Sequence, residues 1–270
     1  MLVGAASAVG VRNGPDVVWW RVVGALLVSL LLQIGVNYAN DYSDGVKGTD
    51  DVRVGPIRLV ASGAAAAKSV KRAALMTLLI AALVGLVLAL ATSWWLLVVG
   101  GLAIAAAWGY TGGPRPYGYL GLGELFVFVF FGLVATVGTT YVAIEQVPGV
   151  TWVAACGVGF LACALLVVNN LRDIPTDRSV GKRTLAVRLG DRPTRWMYLG
   201  LIVAALAVAG MVAAVRPWSA IAFVAVAVAR TPARRVLRGA TGRELIEVLG
   251  GTGRTQLAYG VLLAIGLAVG

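Results

Sequence analysis

The sequence predicts an all-α protein, a polytopic membrane bundle of nine helices whose first helix is truncated. Three observations predict it: composition, charge-free runs of about one bilayer crossing each, and basic residues that fall on alternate loops. Of 270 residues, 59% are hydrophobic and only 13% charged, and the mean hydropathy is +0.87. Soluble domains run nearer half apolar and a quarter charged, so the excess calls for an apolar solvent rather than a larger core. A soluble enzyme and a disordered basic tail are both excluded. The net charge of +11, from 23 Lys and Arg against 12 Asp and Glu with no His, would ordinarily suggest nucleic acid. Most of the length offers no charge to a phosphate backbone, so no nucleic-acid partner is expected.

The elements follow in order. Met1–Gly10 is apolar but too short to cross, and it lacks the basic start of a signal peptide. It reads as the end of a helix whose beginning is missing. Val22–Asn40 is the second helix. Between Arg72 and Arg115 lie 42 residues without Asp, Glu, Lys or Arg, enough for two crossings joined at Thr92-Ser93-Trp94-Trp95. Paired Trp residues suit the membrane interface. Leu125–Ile144, Gln146–Leu171 and Trp196–Val215 are each about as long as a spanning helix requires. Pro217–Ala229 and Thr255–Gly270 are shorter; both are read as helices, with Arg216 and Arg230 snorkelling.

Counting the stub as the first helix, the loops after the even-numbered helices hold 20 of the 23 basic residues. Such asymmetry marks the cytoplasmic side and provides attraction to anionic lipid, which accounts for Arg230, Arg234, Arg235 and Arg238. Cys156 and Cys163 lie seven apart within one predicted helix, too far to bridge, and are read as packing residues. The lack of His excludes imidazole metal sites and Ser-His or Cys-His nucleophiles.

Six of the twelve acids gather in two stretches, and these are the informative ones. The first runs Asn37-Tyr38-Ala39-Asn40-Asp41-Tyr42-Ser43-Asp44, then through Lys47-Gly48-Thr49 to Asp50 and Asp51. The second runs Asn169-Asn170-Leu171-Arg172-Asp173-Ile174-Pro175-Thr176-Asp177, then Gly181-Lys182-Arg183-Thr184. Each lies at the predicted cytoplasmic end of an even-numbered helix. Asp41 and Asp44 are three apart, Asp173 and Asp177 four apart, so each pair shares a helix face. Pro175 disfavours helical geometry at Ile174, so the second pair is expected on a kinked or ending turn. Two carboxylates ~4 Å apart repel by about 4 kcal/mol at an effective dielectric of 20. Such clusters take up protons or recruit cations. Mg²⁺ uses one or two carboxylates together with substrate phosphates and waters. Two Asp clusters flanked by Lys and Arg therefore suit a diphosphate held through Mg²⁺, with its apolar tail among the helices, the shape of an isoprenyl diphosphate.

These residues resemble the UbiA-type intramembrane aromatic prenyltransferases, and among them the branch that acts on 1,4-dihydroxy-2-naphthoate in menaquinone synthesis. Asn40-Asp41-Tyr42-Ser43-Asp44 and the Asp173, Asp177 pair resemble the two Asp-rich signatures. Arg53-Val54-Gly55-Pro56-Ile57-Arg58-Leu59, Tyr110-Thr111-Gly112-Gly113-Pro114-Arg115-Pro116-Tyr117, Gly123-Glu124 and the segment from Gly181 to Gly190 extend the likeness over essentially the whole chain. The wider superfamily carries a third Asp where this chain has Gly48. The family's fuller first helix also precedes Met1, so the chain is expected either to start upstream or to lack part of that helix.

The resemblance implies one transmembrane prenyltransferase domain over residues 1–270, a bundle around a lipid-accessible cavity in a bacterial inner membrane, with the site toward the cytoplasm. It implies Mg²⁺ on Asp41, Asp44, Asp173 and Asp177, with Asn37, Asn40 and Asn170 supporting the substrate. Lys47, Arg53, Arg58 and Lys182 become candidates for the diphosphate, and Arg115 and Tyr117 for the aromatic acceptor. Polyprenyl diphosphate, an aromatic acceptor and membrane lipid are the implied partners, and no protein partner is required. Another acceptor ring, such as 4-hydroxybenzoate or homogentisate, is the alternative. A cation-coupled transporter is the remote one, set apart by depth: carriers place their acids near the bilayer midplane.

Overall fold

A computed structural model describes residues 1–11, 14–49, 55 and 57–270. Ten α-helices form among them: α1 (Leu2–Val9), α2 (Trp19–Lys47), α3 (Ala67–Ala91), α4 (Trp95–Gly109), α5 (Gly123–Ile144), α6 (Gly149–Ser179), α7 (Leu185–Leu189), α8 (Asp191–Val215), α9 (Ala225–Leu237) and α10 (Glu244–Val269). Six are long and apolar enough to cross a membrane (α2, α3, α5, α6, α8 and α10), and α4 is a shorter apolar helix. The expected all-α bundle is what forms. The stretch Pro217–Ala229 is not one regular helix: Pro217–Val224 is 3₁₀, and α9 begins only at Ala225. α10 begins at Glu244 rather than near Thr255. Glu244 and Glu247 sit in its first turn, where the helix dipole favours a carboxylate.

The chain divides into two compact units, each described by itself. Unit 1 comprises Met1–Val22, Glu124–Arg172 and Leu189–Gly270. Small residues let its helices approach closely, as membrane packing requires. A side chain at Gly4 would overlap Thr136 and Thr139, and the Thr140 hydroxyl donates to the Gly4 carbonyl at 2.7 Å. Phe128–Val134 within α5 is a π-helical turn, and Gly132 in it meets Gly159 of α6 backbone to backbone. Two buried tyrosine hydroxyls are satisfied internally, as polar groups away from water favour. The Tyr259 hydroxyl donates to the Ala205 carbonyl at 2.8 Å, and Tyr198 pairs with Thr252 at 2.7 Å. Arg195, at the cytoplasmic edge by the sequence reading, lies inside α8. It is buried, forks onto Asp191 at 2.6 and 2.8 Å, and donates to the Val236 carbonyl.

Unit 2 comprises Val23–Gly123 and Asp173–Arg188. Gly24 faces Leu88 and Gly35 faces Leu78, a register that runs opposite along the two helices and makes α2 and α3 an antiparallel pair. α3 stops at Ala91 and α4 starts at Trp95, with Trp94 and Trp95 stacked at 4.1 Å, at the expected hairpin. A 3₁₀ turn, Tyr117–Leu120, follows α4 and ends at Gly121, whose φ of 74° is left-handed.

Both Asp-bearing helices run past the charge-free segments that announce them. α2 reaches Lys47 and α6 reaches Ser179, with Pro175 inside it, so the second Asp pair lies on continuous helix rather than on an ending turn. The two helices also end alike. The Thr49 N–H returns to the Asp44 carbonyl and the Gly48 N–H to Gly45. The Lys182 N–H returns to the Asp177 carbonyl and the Gly181 N–H to Arg178. Each is a Schellman cap closed by a left-handed Gly, Gly48 at φ 70° and Gly181 at φ 76°. Gly48 is thus the residue that this left-handed cap position favours.

Candidate active site

Unit 2 contains both acidic pairs, each toward the C-terminal end of its helix. All four carboxylates are buried, although a helix C-terminus carries a partial negative charge that disfavours them. Each must find compensation. Asp41 accepts the backbone N–H groups of Leu59 at 2.9 Å and Val60 at 3.0 Å, one on each oxygen. Asp44 Oδ1 accepts the Tyr119 hydroxyl at 2.7 Å. Asp177 Oδ1 lies 3.5 Å from Lys182 Nζ, while its Oδ2 is buried without a hydrogen-bond partner. Asp173 is buried one helical turn before it.

The bases stand beside the acids. Lys47 Nζ donates to the Thr111 carbonyl at 2.7 Å and, more weakly, to Gly113 at 3.4 Å. Thr111 is buried, and its hydroxyl donates to Asn40 Oδ1 at 2.8 Å, which ties the segment after α4 to α2. Lys47 and Lys182 lie 5.1 and 5.2 Å from the centre of the Tyr119 ring. Beyond α6, Arg178, Gly181, Lys182, Arg183, Val187 and Arg188 line a cavity of about 320 Å³, an electropositive recess suited to an anion.

The sequence pattern does not single out Tyr119, nor the side chain of Thr111. The local signal is an aromatic flanked by Gly118 and Gly121 in the loop that carries Arg115 and Tyr117. Gly118 allows the turn to close on Tyr110, whose carbonyl accepts the Gly118 N–H at 3.0 Å, and a side chain there would strike that carbonyl. The Tyr119 phenol is pushed well above the ordinary tyrosine value, first by burial and then by the Asp44 carboxylate, so it remains a donor.

Other expected residues are placed differently. The Asn37 amide is exposed and donates to the Gln33 carbonyl of its own helix at 2.7 Å. The Asn170 amide donates to Glu124 Oε1 at 3.0 Å, a pairing within unit 1. The Tyr117 hydroxyl donates to the Ala106 carbonyl at 2.8 Å, with its ring edge-on to Tyr110 at 5.5 Å. Arg115 is exposed and Arg58 partly buried. Arg53, Asp50 and Asp51 lie outside the described residues.

Among the described residues, no three carboxylate or thiol groups gather closely enough to form a metal cage of their own. The donor set nevertheless fits Mg²⁺, which takes one or two carboxylates and completes its shell with phosphate oxygens and water. The partnerless Asp177 Oδ2 and buried acids at the negative ends of two helices are what such an ion would relieve.

Helices long and apolar enough to span a membrane, with paired acids and lysines at their ends, define a polytopic membrane protein with a charged cluster at two helix ends. The UbiA prenyltransferase family model matches residues 1–246, and the chain belongs to that family. It is 51% identical over 253 residues to a 1,4-dihydroxy-2-naphthoate octaprenyltransferase of Mycobacterium tuberculosis, covering 94% of this chain and 87% of the relative. It is 41% identical over 207 residues to the protein of the same description from Escherichia coli, covering 72% and 67%. Among solved structures it resembles a digeranylgeranylglyceryl phosphate synthase (TM-score 0.63, 12% identity, 99% and 92% covered). It also resembles a UbiA homologue from Archaeoglobus fulgidus bound to DMAPP and Mg²⁺ (TM-score 0.58, 14% identity, 99% and 94% covered). At those identities the likeness is one of fold.

Proposed function

We propose that this chain, as one prenyltransferase domain, transfers a polyprenyl group from polyprenyl diphosphate to 1,4-dihydroxy-2-naphthoate, with loss of the ring carboxylate as CO₂, giving a demethylmenaquinol. The observation that carries the proposal is the 51% identity, over nearly the whole chain, to a relative described by that activity. The acidic and basic groups of unit 2 supply the chemistry. Mg²⁺, when bound, neutralises the diphosphate and makes it a better leaving group. Asp44 and Asp177 would hold the ion at the two helix ends, with Asp41 and Asp173 beside them. Lys47 and Lys182 take the free diphosphate oxygens and stabilise the negative charge that grows as the allylic C–O bond breaks. The electron-rich naphthoate ring attacks the allylic carbon, and decarboxylation restores aromaticity. Apolar helices that exclude water favour attack by the ring over attack by water.

Membership of the family and the bias of basic residues toward alternate loops support a multi-pass protein of a bacterial inner membrane, with this site on the cytoplasmic side. The test is direct. Membranes containing the chain are incubated with labelled polyprenyl diphosphate, Mg²⁺ and one acceptor at a time. Label should enter dihydroxynaphthoate with release of CO₂. Prenylation of 4-hydroxybenzoate or homogentisate in its place would overturn the assignment.

A further inference from the structure

Tyr119 touches both Asp-bearing helix ends of unit 2. Its hydroxyl donates to Asp44 at 2.7 Å on the α2 side. Its backbone carbonyl accepts the Arg183 N–H at 3.2 Å on the α6 side. Its ring has one ammonium group from each side near its centre, Lys47 at 5.1 Å and Lys182 at 5.2 Å. Both distances are within the range at which a cation is attracted to an aromatic ring. The turn that presents it is held by Gly118 packing on Tyr110 and by left-handed Gly121.

The chemistry of these contacts is complementary. A hydrogen bond on one oxygen of Asp44 fixes the carboxylate plane and leaves the other oxygen for a cation. Two long lysine side chains lose rotamer freedom when they order on an anion, and a shared ring bears part of that loss beforehand. Lys47 is further restrained by the Thr111 carbonyl, and Lys182 by Asp177.

We infer that Tyr119 is a positioning residue that couples the two acidic helix ends, its hydroxyl orienting Asp44 for the metal and its ring holding Lys47 and Lys182 ready for the diphosphate. The inference rests on the proposed transferase reading and adds to it a residue that acts by positioning Asp44, Lys47 and Lys182.

The test uses the full chain, purified in detergent, with Tyr119→Phe and with pentafluorophenylalanine incorporated at 119. Both keep the shape of the ring, so folding is not the variable. Mn²⁺ alone serves as metal probe, followed by paramagnetic resonance, and inorganic diphosphate with saturating Mg²⁺ as anion probe. Tyr119→Phe should weaken Mn²⁺ about 3- to 10-fold and lower kcat, with diphosphate affinity and the KM for prenyl diphosphate within about twofold of the wild type. The fluorinated ring, which no longer attracts cations, should in addition weaken diphosphate several-fold and raise that KM. Wild-type Mn²⁺ affinity in Tyr119→Phe, or equal diphosphate affinity for the phenyl and fluorinated rings, overturns the inference and leaves the transferase reading intact. A wild-type chain that binds neither probe overturns both.

Discussion

Asp44 and Asp177 occupy the same position in the same helix-ending motif: each offers its backbone carbonyl to the closing N–H of a Schellman cap, that of Thr49 or Lys182. The second acid of each signature is therefore fixed by main-chain geometry, one turn before a left-handed Gly. This equivalence gives the two motifs a common structural origin despite their different spacing, three residues in one and four in the other.

The caps predict the behaviour of their glycines. Gly48 and Gly181, at φ 70° and 76°, adopt a conformation that costs an L-residue roughly 1–2 kcal/mol. Gly48→Ala and Gly181→Ala should each lower the unfolding temperature by a few degrees, measured by thermal unfolding in detergent. The side chain at Gly181 would meet open space, so strain alone is read there. An unchanged transition in Gly181→Ala would mean that the cap does not hold the helix end.

Thr111→Val tests the tie between the α4–α5 connection and α2. Valine keeps the shape and removes the hydroxyl that donates to Asn40 at 2.8 Å from a buried position. The Asn40 carbonyl loses its donor, at a cost of about 1–2 kcal/mol. The expected result is a lower unfolding temperature with turnover reduced only a few-fold, since no acid or lysine is altered. A loss of turnover without any loss of stability would instead give Thr111 a part in the chemistry.

The helix cores and the acidic clusters were legible in the sequence; the helix ends and the loop that joins the clusters were not. Charge-free runs report what the membrane demands, whereas the backbone ladder continues into water. α2 therefore extends from Asn40 to Lys47, and α10 starts eleven residues before Thr255, at Glu244. Pro175 suggested a broken turn, yet an exposed proline costs α6 one ladder bond without ending it. Asn37 and Asn170 stood in the right motifs, but their amides serve the Gln33 carbonyl and Glu124. The flanking glycines do not reveal the part Tyr119 plays, because its significance lies in partners 75 and 63 residues away, at Asp44 and Lys182.

Asp177→Asn separates charge from packing. The carboxamide is isosteric, and the wild-type carboxylate is buried at a helix C-terminus with one oxygen unpartnered. Removing its charge should leave stability unchanged or slightly higher, while Mg²⁺-dependent prenyl transfer falls by at least about 100-fold. Chelation of divalent cations should abolish wild-type turnover, and added Mg²⁺ restore it. Product formation in membranes and thermal unfolding are measured on the same preparation. If activity and stability collapse together, Asp177 is structural.

Alkaline titration checks the state of Tyr119. An unperturbed tyrosine loses its proton near pH ~10, but burial and then the Asp44 carboxylate push this phenol well above that value. The sign follows from linkage. Below the unfolded value the phenol is neutral in both states, and its hydrogen bond to Asp44 is fully present. As pH rises above ~10 the unfolded chain gives up the proton and the folded chain retains it, so stability declines. Difference absorbance between the wild type and Tyr119→Phe near 295 nm should therefore show no tyrosinate from residue 119 between about pH 9 and 11 in the folded protein, and should show it in denaturant. The unfolding temperature of the wild type should fall more steeply over that interval than that of the variant. Tyrosinate from residue 119 appearing near pH ~10 in the folded chain would place the phenol in water, incompatible with a part-buried donor to Asp44.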